Sequence, residues 1–159
     1  MGTTTQPGTS SGKSPSFFCV TGVSISAYKD TARELLLDGE EYWSDHYALH
    51  DIFKAIERGM MQFWIYQDAD GQAITGLLTR IAVYPKHNAL HVIWMGGKRF
   101  PPKEYFQAIT NTFEYFARKY GCASMECKAR VGLERAFEGL GFEKTAIYLE
   151  RDVKLETRH

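Results

Sequence analysis

The spacing of apolar residues changes twice along this chain, and each change marks a change of element. Upstream of residue 61 the apolar positions recur every three or four residues: Ala32, Leu35 and Leu36 in one stretch, then Leu49, Ile52, Phe53 and Ile56 in the next. That spacing puts them on one buried face, so it predicts helices over residues 27–38 and about 45–58, stopped by Gly39 and Gly59. From Met61 the period falls to two. Gln62-Phe63-Trp64-Ile65-Tyr66 predicts a strand, Asp68-Ala69-Asp70-Gly71 a turn, and residues 73–84 its antiparallel partner. Pro85-Lys86-His87-Asn88 predicts another turn, and residues 89–95 a strongly apolar fourth strand. Helical spacing then returns over 104–120, with Phe106, Ile109, Phe113, Phe116 and Ala117 on one side and Gly121 at the end.

Residues 122–128 predict a strand, 131–140 a short helix, and 142–153 a last strand that closes the sheet. A first strand over 17–26 precedes everything. The resulting order is strand, two helices, three strands, helix, strand, helix, strand. Hairpins followed by a strand–helix–strand crossover require a mixed sheet with helices packed on it, an α/β (α+β) single domain. A length of 159 residues fits one such domain with a proper core and is too short for two.

Residues 1–16, MGTTTQPGTSSGKSPS, do not share this patterning. They are mostly Gly, Ser, Thr and Pro, with Lys13 as the lone charge, and bury too little apolar surface to offset the entropy of ordering. The expected organisation is a flexible or partner-bound arm over 1–16 and a folded body over 17–159.

Charge removes some functions from consideration. Lys and Arg total 19 and Asp and Glu total 19, so no strong field draws in nucleic acid or an anionic membrane, and neither is an expected partner. No apolar run is long enough to span a bilayer and no signal peptide is visible, which predicts a soluble protein that is not secreted. Cys19, Cys122 and Cys127 form no C-x-x-C pair, which predicts free thiols and no metal cluster. His46 and His50 stand four apart in a predicted helix, a spacing that can hold a metal, but no third ligand accompanies them and no metal is expected.

The element order and the ending Leu140-Gly141-Phe142 resemble the GCN5-related N-acetyltransferase (GNAT) superfamily across residues 17–153. The resemblance implies acetyl-CoA between strands 89–95 and 122–128, with its pyrophosphate held by the following loop. More narrowly, Met95-Gly96-Gly97 and Arg130-x-Gly132-x-x-Arg135 before Gly141-Phe142 resemble tailed-phage proteins with a GNAT-like fold and a degenerate cofactor loop.

Several residues depart from the superfamily's chemistry. Its phosphate loop presents backbone N–H groups at a helix N-terminus. Here Met95-Gly96-Gly97-Lys98-Arg99-Phe100-Pro101-Pro102-Lys103 places its glycines early and two prolines, which lack N–H groups, near the helix start. Met95, Gly96, Gly97, Lys98, Arg99 and Lys103 are the candidate cofactor contacts; a Gly-Gly turn into a Pro-capped helix is the plain alternative. Where the resemblance implies a tyrosine acid there is Phe137, and where it implies an amide there is Arg130. The superfamily also has two strands after its last helix, against one predicted here. His91 and Glu126, on neighbouring strands, are the candidate bases in an active enzyme, with His91 expected beside Ile93 and Met95; a packed core histidine is the alternative. Arg130, Glu134 and Arg135 form either an ion-pair cluster or a partner contact.

Two functions follow as expectations. One is a phage-encoded, non-catalytic GNAT-fold component of a virion or its assembly, without cofactor. It would contact other subunits, including virion proteins through residues 1–16, as a homo-oligomer in the virion or host cytoplasm. The other is an acetyl-CoA-dependent N-acetyltransferase acting on an amine of a small molecule or protein.

Overall fold

A computed structural model describes residues 14–155. Five strands form one sheet in sequence order: β1 (Ser16–Val20), β2 (Gln62–Gln67), β3 (Ala73–Val83), β4 (Asn88–Gly97) and β5 (Cys122–Cys127). The first three pairings are antiparallel and β4–β5 is parallel. Four helices cover the sheet: α1 (Ile25–Leu37), α2 (Leu49–Glu57), α3 (Phe106–Lys119) and α4 (Glu134–Gly139). The mixed α/β architecture read from the spacing is therefore present. Among the described residues, no helix is long and apolar enough to cross a membrane.

Each sheet face has its own core. Leu35 and Leu36 of α1 and Ile52, Phe53 and Ile56 of α2 pack with Phe63, Ile65, Leu78 and Trp94 on one face. Ile109 and Phe113 of α3 and Phe137 of α4 pack with Trp64, Leu77, Leu90, Val92 and Met95 on the other. Three buried polar side chains are joined in a chain: Trp64 Nε1 donates to Thr79 Oγ1 at 2.9 Å, and Thr79 Oγ1 donates to Gln62 Oε1 at 2.8 Å. These three do not carry the cost of orphaned buried donors, whereas the Trp94 Nε1–H is buried without a partner among the described residues.

Four boundaries differ from the sequence reading. β1 ends at Val20 rather than at residue 26, because Gly22 at φ 65° turns the chain into a 3₁₀ turn before α1. Ser16 is the first residue of β1, so the expected arm loses its last residues to the body; residues 1–13 lie outside the described residues. α2 starts at Leu49, where the Asp51 carboxylate accepts the Ala48 N–H at 3.3 Å. His46 therefore precedes the helix and does not share a helical face with His50. The largest difference is at the end: residues 142–153 form no strand. Phe142 packs edge-on to Phe137, and everything after it is exposed, with no strand beside it among the described residues.

The β3–β4 register slips between Leu78 and Thr79: Thr79 faces Val92 while Leu78 faces Trp94, leaving Ile93 as a bulge. The extra residue resets the alternation of β4. Ile93 and Trp94 both pack toward α1 and α2, and Met95 returns to the α3 face. The β4–β5 pairing ends at Val92–Cys127, the last residue of β5.

Candidate functional site

Beyond that last pair a gap opens between the two strands. Its β4 wall is Trp94 to Gly97, its far wall the chain after β5, and its roof the loop between α1 and α2. The gap contains a cavity of about 160 Å³ lined by Gly39, Tyr42, Gly96, Gly97, Lys98 and Arg130, among others. Pockets for sizeable ligands run from roughly 300 to 1,000 Å³.

Arg130 is one wall of this cavity. Its Nη1 donates to the Met95 carbonyl at 3.2 Å, and its guanidinium carbon lies 3.7 Å from the centre of the Tyr42 ring. One side chain thus bridges the strand exit, the β4 backbone and the α1–α2 loop. The planar, permanently charged guanidinium suits this combined stacking and hydrogen bonding.

The loop after β4 is equally committed. The Lys98 and Arg99 N–H groups both point to the Ile74 carbonyl on β3, at 2.8 and 3.3 Å, and Thr75 Oγ1 donates to the Arg99 carbonyl. The side chains are paired too: Lys98 Nζ lies 2.8 Å from Glu34 Oε1, and Arg99 Nη2 lies 3.2 Å from Asp68 Oδ2. Lys103 is exposed at the start of the 3₁₀ turn that leads into α3. Both glycines have packing reasons. A Cβ on Gly97, at φ 125°, would fall 2.6 Å from the Ile74 carbonyl oxygen, and one on Gly96 would fall 2.5 Å from the Trp94 indole.

His91 and Glu126 do meet. They are register partners across β4 and β5, and His91 Nδ1 lies 2.8 Å from Glu126 Oε2. The same oxygen accepts the Tyr84 hydroxyl at 2.7 Å. Burial works to raise the Glu126 pKa, but the hydrogen bonds from Tyr84 and His91, with the charges of His91 and Arg80, outweigh it and hold the carboxyl below its ordinary value. The bond to Glu126 pushes the Tyr84 phenol up in turn. His91 is neither in the apolar core nor beside Met95; the bulge at Ile93 separates them.

Arg130, Glu134 and Arg135 are not gathered into one cluster. Arg130 turns to Met95 and Tyr42, Glu134 lies 3.5 Å from Lys144 Nζ, and Arg135 is exposed. Phe137 is buried against α3 and the sheet. Sequence reasoning missed Tyr84, Tyr42, Glu34 and Asp68, because each reaches its partner across elements far apart in the chain and no local spacing announces them.

No family model matches the chain, and no curated protein matches its sequence. Solved structures do match in shape. An aminoglycoside acetyltransferase from an uncultured soil metagenomic sample superposes with a TM-score of 0.62 at 11% identity, over 89% of this chain and 99% of that one. An aminoglycoside antibiotic 6′-N-acetyltransferase from Acinetobacter baumannii gives 0.57 at 15% identity, over 88% and 99%. Glucosamine-6-phosphate N-acetyltransferase from Arabidopsis thaliana gives 0.56 at 14% identity, over 87% and 99%. The fold is that of the GNAT acetyltransferases. At these identities the likeness extends to the fold and stops there.

Acetyl-CoA is the cofactor this fold implies, and the residues of the gap do not fit it. The loop amides at Lys98 and Arg99 are turned to Ile74, Pro101 and Pro102 have none, and Arg130 holds the β4 carbonyl at Met95.

Proposed function

We propose that this chain is a non-catalytic protein of GNAT fold that acts through contacts with other protein subunits, as a component of a virion or of its assembly. The observation that carries the reading is the Arg130–Met95 bridge, which crosses the gap beyond the last β4–β5 pair, where an acyl carrier would lie in this fold. The committed loop amides and the aromatic ring of Phe137 in place of a proton donor support it. The phage setting rests on the Met95-Gly96-Gly97 and Arg130-x-Gly132-x-x-Arg135 motifs. In this reading residues 1–16 are the contact to other subunits. The test is co-assembly of the full chain against a chain lacking residues 1–16: assembly is expected to fail without the arm, and normal assembly would overturn the arm's role.

A second reading is kept alive by one observation, the His91–Glu126–Tyr84 cluster on the sheet. In an acetyl-CoA-dependent N-acetyltransferase, Glu126 or His91 would take a proton from the acceptor amine, directly or through one water. That reading requires Arg130 and the loop after β4 to rearrange. It predicts saturable stabilisation by acetyl-CoA, since a ligand that binds only the native state raises its melting temperature.

A further inference from the structure

Two hydrogen-bond donors at the same cavity are short of acceptors. The Trp94 indole is 3% exposed, and its Nε1–H has no partner among the described residues. Its N–H edge lies against two residues of the cavity wall: a Cβ on Gly39 would fall 2.9 Å from Nε1, and one on Gly96 would fall 2.9 Å from Cε2. The other two indoles are satisfied, Trp43 by the Leu36 carbonyl and Trp64 by Thr79. A buried donor left unpaired costs free energy, and a native structure keeps one where a water, an ion or a ligand meets it. Arg130 is the second donor. It is half-buried, and one of its five N–H groups meets the Met95 carbonyl. Lys98 and Arg99, in the same wall, are neutralised by Glu34 and Asp68, whereas Arg130 has no acid beside it among the described residues.

We propose that this cavity binds a carboxylate, with the Arg130 guanidinium as its charge partner and the Trp94 indole N–H as its second donor. The planar fork of a guanidinium matches the two oxygens of a carboxylate. Stacking on Tyr42 and the bond to Met95 already hold that fork in place, so binding sacrifices little side-chain freedom. A single negative charge suits the site, because Lys98 and Arg99 are paired and Asp38 in the lining repels a dianion such as phosphate. A volume of about 160 Å³ admits an acid the size of acetate, or the end of one peptide chain. The indole N–H joins the site when the backbone at Gly39 yields slightly, a shift that no side chain at Gly39 obstructs. The inference rests on the non-catalytic reading, since a carboxylate in this gap leaves no room for an acyl carrier.

The test follows the indole Nε1–H signals of the isotope-labelled full chain by NMR, with Trp94→Phe identifying the one at issue. The probes are acetate, N-acetyl-trialanine, the C-terminal amide of that peptide, and phosphate, each at constant ionic strength. The Trp94 signal is expected to move saturably with acetate and with the peptide acid, and to stay put with the amide and with phosphate. Tighter binding of the peptide acid than of acetate assigns the site to a chain terminus, and the reverse to a free acid. Arg130→Gln is expected to weaken binding by about tenfold or more, and Arg130→Lys, which keeps the charge without the fork, by less. Gly132→Ala, whose Cβ meets nothing within 4 Å, is expected to bind as wild type. A Trp94 signal unmoved by both acids, an equal response to phosphate, or undiminished binding in either Arg130 variant with native circular dichroism overturns the site. Acetyl-CoA added to the same sample separates the two claims. A response to acetyl-CoA but to neither acid sinks the non-catalytic reading as well, whereas silence to all of them sinks the carboxylate site alone.

Discussion

Arg130 donates through Nη1 to the carbonyl of Met95 at 3.2 Å, across the gap beyond the last β4–β5 pair. The contact joins a charged donor to a buried strand, and Tyr42 stacks on the other side. Hydrogen bonds to charged groups contribute roughly 1.5–3 kcal/mol. Arg130→Ala is therefore expected to cost about 1–3 kcal/mol by chemical denaturation, whereas a variant as stable as wild type would show that the bridge contributes nothing.

Gly97 tests whether the loop is built for packing. Alanine there meets both a positive φ and the Ile74 oxygen at 2.6 Å, while alanine at Gly132 meets nothing within 4 Å. Gly97→Ala is expected to destabilise by about 2 kcal/mol or more and Gly132→Ala by less than about 0.5 kcal/mol. Equal effects in urea unfolding would contradict the packing account.

The Glu126 cluster has a pH signature. Because folding lowers the Glu126 pKa from its ordinary 4.5, its contribution is present above that value and is lost as pH falls through the lower, folded one. Melting temperature is expected to drop on acidification below pH 4.5, and less steeply in Glu126→Gln. Superimposable profiles would mean that the Tyr84 and His91 bonds do not stabilise the carboxylate.

The thiols should be quiet. Burial pushes Cys19 up to about 12, burial with the Glu126 charge pushes Cys127 to about 11, and burial raises Cys122 as well. Thiolate is the reactive form. A disulfide reagent at neutral pH is expected to label the native protein far more slowly than the urea-unfolded chain, with Cys19 slowest, and rapid native labelling of Cys19 would contradict its burial.

Much of the fold was legible because periodicity reports which face is buried. Ile52, Phe53 and Ile56 lie where their spacing put them, and so do Ile109 and Phe113. What periodicity could not report was a bulge. Ile93 resets β4, so His91 and Met95 fall on opposite faces although they are four residues apart. Nor could it distinguish a strand from a sequence able to become one: residues 142–153 have much of the alternation of a strand but, among the described residues, no neighbour to pair with. The candidate site was legible in residue type, since Arg130, Phe137 and the two prolines already departed from the acetyltransferase pattern. Its wiring was not, because Glu34, Asp68 and Tyr42 reach Lys98, Arg99 and Arg130 only through the folded topology.

A thermal-shift titration of the full chain with acetyl-CoA and with CoA separates the proposed non-catalytic reading from the acetyltransferase one. The account predicts a flat melting temperature up to millimolar ligand. A saturable rise, of the size that native-state binding produces when ligand greatly exceeds its dissociation constant, would contradict it.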